Sequence, residues 1–382
     1  MNNTRIAAIA SLTFAGAVLL VSAIPATITA ADWRLEIGNR SLYESNIFHS
    51  FADTLETDAY LDVLEARVAW RGRPAARFRH TVSAQADLDL YPAYSGRNKS
   101  SFGVAYVPSW RYYKNGELSL EAEIGRRNKD LIDDAGQVLA RTLEKWELDV
   151  TATHSYDVGR LRTEVTGGYH LDDYDERETL AADGVTSVRL MSYDYDAFTW
   201  GVDARFRLSP RIDIRAGYDG EKRSYEERRT YTVRYGAFAG RPHEIREFTE
   251  NTFDLGAAWK FLGRNTVSAE VEFARRKENF ENFYGFDQRQ YQASLTLYPA
   301  TRHKSTVSFR FKNKDYENYW NSSIGRANRV WVDYADFEIE HEYRLSDLVT
   351  LGVYAVNFNK VSNDRMFDYH NFTAGTSIRF AL

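Results

Sequence analysis

The sequence predicts an all-β chain folded as a transmembrane antiparallel up-and-down barrel of about sixteen strands, with fourteen and eighteen as the neighbouring even counts. Three observations carry this expectation. Apolar and polar residues alternate with a period of two over long runs, short and long connections take turns along the chain, and after the N-terminal segment no apolar run is long enough for a membrane helix.

The N-terminal segment reads as a secretion signal. Arg5 supplies the positive start, Ile6 to Ile24 is almost wholly apolar, and Pro25 breaks the run before small residues. Cleavage is expected after Ala30 or Ala31, leaving residues 1–31 as signal peptide and 32–382 as the barrel. The first strand starts at Asp32 with no plug or periplasmic domain ahead of it, which speaks against an energy-coupled receptor or a multi-domain assembly factor.

Composition narrows the class. With 49 Lys+Arg against 54 Asp+Glu the net charge is −5, the wrong sign for a nucleic-acid partner. There is no cysteine, so disulfide frameworks, thiolate metal sites and cysteine nucleophiles are excluded together. Aromatic residues make up 14% of the chain while the mean hydropathy is only −0.51. A barrel reconciles the two, because alternation hides its lipid face from any sliding average.

The third strand shows the alternation best. Ala76, Phe78, His80, Val82, Ala84, Ala86, Leu88 and Leu90 share one face; Arg77, Arg79, Thr81, Ser83, Gln85, Asp87 and Asp89 share the other. Its fifteen or so residues far exceed the ~5–6 typical of soluble sheets. The same reading places strands at 32–40, 58–71, 75–90, 100–113, 117–127, 141–157, 160–172, 190–208, 211–225, 247–261, 265–276, 286–298, 304–316, 328–344, 348–361 and 367–382.

Every other connection is short: Gly72-Arg73-Pro74, Lys114-Asn115-Gly116, Val158-Gly159, Ser209-Pro210, Leu262-Gly263-Arg264, Pro299 to His303 and Leu345-Ser346-Asp347. Asn115-Gly116 is the strongest hairpin signal. The intervening ones, such as 41–57, 173–189, 226–246 and 317–327, are longer and polar, as expected for outer loops facing short periplasmic turns. Trp70, Phe78, Trp110, Tyr112, Tyr156, Phe206, Trp259, Phe261 and Tyr343 fall near the short turns on apolar parity and read as the inner aromatic girdle.

Two local marks are more specific. Phe372, Ala374, Thr376, Ile378, Phe380 and Leu382 alternate to the last residue, and this strand resembles the signal that bacterial barrels offer to their insertion machinery, with Leu382 where an aromatic is usual. Tyr43-Glu44-Ser45-Asn46-Ile47-Phe48 resembles the start of a family of bacterial porin-like outer-membrane β-barrels, some of which sit beside polysaccharide-export systems. The resemblance implies a Gram-negative outer-membrane location, with outer-membrane lipid, lipopolysaccharide and the insertion machinery as partners. Composition is equally compatible with a monomer and a homo-oligomer.

By parity Arg77, Arg79, Arg162, Glu164, Asp203, Arg205, Arg207, Asp213, Arg215, Glu270, Glu272, Arg310, Lys312, Glu338, Glu340 and Arg379 point inward and are the expected pore-lining residues. Arg310 and Lys312 are expected to pair with Glu338 and Glu340 across strands. In sixteen-stranded general porins the loop after the fifth strand folds inward, and here that loop holds Asp130, Asp133 and Asp134 as a candidate constriction.

No catalytic residue, metal or cofactor is expected. His243-Glu244 and His341-Glu342 lack the second histidine of a zinc motif. Asp172-Asp173, Asp175-Glu176, Asp194 and Asp196 lack the spacing of a calcium loop and read as solvated. Sixteen strands leave an aqueous channel, so the expected function is transport: passive or selective diffusion of small hydrophilic solutes. The alternatives are an exopolysaccharide export barrel, for which inward Tyr354 and Phe358 offer a sugar-stacking surface, and a closed structural or adhesive barrel.

Overall fold

Long runs of alternating residues cannot satisfy their backbone in hydrocarbon unless every strand is paired on both sides, and a closed sheet is the arrangement that achieves this. In the computed structural model that is the outcome. The described residues are 32–46, 58–75, 77–94, 98–132, 138–174, 178–180, 187–189, 194–229, 245–279, 282, 284–321, 326–327, 329–364 and 367–382. The signal peptide expected at 1–31 lies outside them, as do most of the 226–246 connection and Asp133 and Asp134.

The strands are β1 Asp32–Glu44, β2 Ala59–Ala75, β3 Phe78–Leu90, β4 Lys99–Arg111, β5 Gly116–Ile132, β6 Val138–Val158, β7 Leu161–Tyr174, β8 Glu178–Leu180, β9 Ser187–Arg189, β10 Tyr195–Ser209, β11 Ile212–Arg229, β12 Ile245–Phe261, β13 Asn265–Glu278, β14 Phe286–Leu297, β15 His303–Tyr316, β16 Trp320–Asn321, β17 Arg326–Ala327, β18 Val330–Arg344, β19 Val349–Ser362 and β20 Tyr369–Ala381. β8 pairs with β9 and β16 with β17 as small hairpins. The other sixteen form one closed barrel in chain order, each antiparallel to its neighbours. β1 closes on β20, with Gly38 opposite Arg379, and Leu35 and Leu382 exchange both backbone hydrogen bonds (3.0 and 2.8 Å).

Each of the sixteen expected strands overlaps one of the barrel strands, and the differences lie at their ends. Gly72, Arg73 and Pro74, expected as a turn, belong to β2, where the ladder with β3 shifts register between Gly72 and Ala75. Pro74 has no N–H to give, so it fits at such an irregularity. Asp130, expected in a loop, is a β5 residue opposite Thr142, because β5 and β6 continue pairing outwards. Tight turns close the other end of the barrel. Gly159 (φ 59°), Leu262 (φ 42°) and Gly263 (φ 83°) supply the left-handed backbone that short hairpins need.

The registers put the apolar parity outside. Ile124, Val165, Phe198, Val202, Phe253, Leu255, Phe337, Ile339 and Val353 are all exposed on that face. So long an apolar belt is tolerable only in contact with lipid. At the short-turn end the expected girdle is present, with Trp33 against Trp70 (6.3 Å between centroids), Trp110 against Tyr112 (5.6 Å) and Trp259 against Phe261 (5.2 Å).

Candidate functional site

The opposite parity faces the lumen, and it divides into two unlike halves. Near the short-turn end the wall is a ladder of charges of both signs. Arg79 donates to Glu117 (2.7 Å), which Arg111 also reaches (3.2 Å). Arg162 is held by Glu164 two residues along its own strand (2.6 Å). Asp213 accepts from Arg205 (2.9 Å) and has Arg207 at 3.6 Å and Lys260 at 3.9 Å. Arg215 donates to Asp203 (2.5 Å), with Asp254 3.8 Å away. Glu342 takes Lys304 (2.8 Å) and lies 3.6 Å from Arg379. These pairs are cross-strand or same-strand neighbours on one face, as antiparallel geometry dictates.

The cations of this half keep much of their surface exposed: the Arg207 side chain is 67% exposed and that of Arg205 53%. Arg77 sits at the β2–β3 turn and is exposed there. Glu270 lies opposite Gln292, and Glu272 accepts from Gln288 (2.9 Å). Glu338 is exposed opposite Ser308, and Glu340 lies opposite Thr306.

Neither Arg310 nor Lys312 meets the expected Glu338 or Glu340, which lie opposite Ser308 and Thr306. The β15–β18 register sets Arg310 against Asp336 and Lys312 against Tyr334. Arg310 accordingly donates to Asp336 (Nε, 2.6 Å), and the Lys312 ammonium lies 4.2 Å from the Tyr334 ring centroid.

Towards the long-loop end the lumen wall is aromatic and half-buried, with Phe248 and Phe286 buried outright. Ring follows ring across the strands: His170–Tyr195 (5.4 Å), Tyr195–Tyr225 (5.4 Å), Tyr225–Phe248 (5.8 Å), Phe248–Tyr284 (6.5 Å) and Tyr284–Tyr319 (5.5 Å). From Tyr319 the contacts continue to Tyr316 (5.3 Å) and Phe367 (5.5 Å), and Phe286 stacks edge-on against Tyr316 (5.6 Å). Tyr334, Phe358 and Tyr369 extend the belt through contacts of 6.1 and 5.2 Å.

Cations are threaded among these rings: Arg223 over Tyr195 (4.2 Å), Arg246 over Tyr284 (4.4 Å) and Arg276 between Phe248 (5.0 Å) and Phe286 (4.9 Å). Arg246 is 5% exposed and faces the fully buried carboxylate of Glu278 at 3.3 Å. Asp172, also buried, holds Lys145 (2.7 Å) and His170 (3.0 Å), and His170 reaches Asp149 with its other nitrogen (2.6 Å). A charge removed from water must be paired, and these are.

Beside this belt β1 and β2 turn an apolar cluster, Leu42, Ala59, Leu61 and Val63, towards the lumen. Tyr91, from the end of β3, is buried in it, with Tyr94 and Tyr354 packed alongside. The Tyr91 hydroxyl bonds to Glu44 (3.3 Å) and its N–H to Asn98 (2.8 Å), which holds the Tyr91 ring in the cluster. Ser45 and Asn46 tie the outer end of β1 to β20. The Ser45 hydroxyl accepts from the Phe372 N–H (2.8 Å), the Asn46 N–H donates to Asn371 (3.1 Å), and the Asn46 amide donates to the His370 carbonyl (3.2 Å). The Ser-Asn pair thus has a described role in closing the barrel.

Of the aromatic belt sequence reasoning singled out only Phe358, together with Tyr354 of the adjoining cluster. The signal for the rest was parity: Phe248 stands on the opposite face from Phe253, Leu255 and Trp259 of the same strand. Tyr316 and Tyr334 likewise stand among the polar residues of theirs.

No family model matches the chain, and no curated protein matches it in sequence. Among solved structures it is similar to outer-membrane expressed OmpT of Vibrio cholerae, with 9% identity over 94% of this chain and 99% of that one and a TM-score of 0.50. It is also similar to OccAB3 of Acinetobacter baumannii (9% identity, 92% and 100% covered, TM-score 0.49) and OpdQ of Pseudomonas aeruginosa (11%, 92% and 99%, TM-score 0.45). At such identities the likeness is one of fold. Closed in sixteen strands with an apolar belt outside and a charged wall inside, the chain has the fold of a transmembrane β-barrel such as that of the outer-membrane OmpT.

Proposed function

We propose that this barrel is an outer-membrane pore through which small hydrophilic solutes diffuse, with selection at the outer, aromatic half. The supporting observation is the half-exposed charge ladder facing the lumen from Arg79 round to Arg379. Buried packing has no use for such side chains, whereas a hydrated channel wall has. Sixteen strands enclose more than their own side chains fill. Because the ladder is largely neutralised pairwise, it confers weak ion preference, and discrimination falls to the belt.

Refolding residues 32–382 into a planar lipid bilayer tests this. Discrete, stable current steps support it, and a folded barrel that carries no current refutes it. The burial of Asp172, Val330 and Val332 in the outer half favours the closed-barrel reading as the second one, and the same recording decides between them. We further propose that residues 1–31 are removed as a signal peptide, which intact-mass measurement of the outer-membrane form checks. The C-terminal strand is proposed as the segment read by the insertion machinery, with lipopolysaccharide against the outer rim.

A further inference from the structure

We propose that one sector of the belt, Lys312, Lys314 and Lys360 with Phe286, Tyr334 and Phe367, is a binding site for an anionic sugar: a pyranose ring bearing a carboxylate. The inference rests on the pore reading, because the sector faces the lumen.

Three ammonium groups stand here with no ion pair among the described residues. Lys312 and Lys314 are two apart on β15, hence on one face and about 7 Å apart. Lys360 on β19 is in register with Tyr334, which is in register with Lys312. That puts two lysines about 10 Å apart with a phenol ring between them.

The acids nearby are engaged elsewhere. Glu250 holds Arg276 (2.7 Å), Asp336 holds Arg310 (2.6 Å), Glu272 accepts from Gln288 (2.9 Å) and Asp368 accepts from the Ser362 N–H (2.5 Å). The lysines rest on ring faces instead, Lys314 at 3.6 Å from Phe286 and Lys360 at 4.9 Å from Phe367. A ring quadrupole is a weaker partner than a carboxylate, so an arriving anion draws the ammonium groups to itself and frees the ring faces.

The rest of the lining selects the ring that carries the anion. Gln290 and Gln288 on β14 are in register with Lys312 and Lys314, and the neighbouring rings include the phenols of Tyr334 and Tyr369. Amides and phenols hydrogen-bond hydroxyl groups, while the freed aromatic faces stack on the C–H face of a sugar. A purely aromatic acid would use the lysines and rings but leave the amides unmatched.

The test is titration calorimetry on the full barrel in detergent with glucuronate, glucose and benzoate as probes, alongside bilayer recording. Folding of each variant is checked by its heat-dependent gel shift. Glucuronate is expected to bind, with glucose and benzoate each on the order of tenfold weaker. The double variant Lys312→Gln, Lys314→Gln should weaken glucuronate by tenfold or more; should it fail to fold, Lys360→Gln alone reports the same loss. Absence of glucuronate binding by a folded barrel, equal binding of glucose or benzoate, or variants that bind like the parent each overturn the proposal. Open channels without glucuronate binding leave the pore reading standing and this one refuted; binding without conductance does the reverse.

Discussion

Asp213 is the residue whose removal reads the lumen field most directly. It is buried in the wall with Arg205 at 2.9 Å, Arg207 at 3.6 Å and Lys260 at 3.9 Å, and those three cations are themselves half or more exposed on the lumen side. Asp213→Asn deletes one negative charge and preserves the shape. For an ion passing at about 10 Å through water, one unit charge is worth ~0.4 kcal/mol, or about twofold in its local concentration. Cations fall and anions rise by that factor, so the cation-to-anion permeability ratio falls about fourfold in dilute salt. At 0.1 M the Debye length is about 10 Å, which cuts the change to less than twofold. The assay is reversal potential under a KCl gradient, at two mean ionic strengths. A variant that opens normally but keeps the parent's ratio in dilute salt would refute the placement of this cluster on the conducting path.

Other perturbations separate the faces of the wall. Val202→Arg, on the lipid face, should cost about 2–4 kcal/mol of unfolding free energy in urea titrations from vesicles. Gln292→Arg, facing the lumen, should cost under about 1 kcal/mol, and equal costs would contradict the register. Asn46→Ala removes the side-chain amide's hydrogen bond to the His370 carbonyl and leaves the backbone bond to Asn371; it should cost about 1–3 kcal/mol, with faster amide exchange at Phe372 and an unchanged reversal potential. Phe380→Ser is expected to lower the amount of heat-modifiable barrel in outer-membrane fractions; undiminished yield would show that assembly does not read this position.

Much of the barrel was legible because a strand exposes its environment in its parity. The run from Phe78 to Leu90 states that one face meets lipid and the other water, and Asn115-Gly116 states where the chain reverses. The inward position of Arg79, Asp203, Asp213 and Arg310 follows from the same period, since every inward residue of a strand shares it. Partnership did not follow. Whether Arg310 meets Asp336 or Glu338 depends on a shift of two residues that leaves parity unchanged, and only the ladder resolves it.

The outer half was harder still. At strand ends beyond the lipid, aromatic residues occur on either face, so Tyr316 and Phe248 carry no local sign that they meet rings from other strands. Their contacts join residues far apart in sequence, such as Tyr284 with Tyr319 and Phe248 with Tyr225. The alternating sequence by itself determined the class and the two faces, because these follow from the period-two geometry of single strands, and it narrowed the strand number to about sixteen. Register, the pairing of charges and the joining of scattered rings and lysines into one lumen surface were decided only by closure of the sheet, which brings together groups that no local pattern relates.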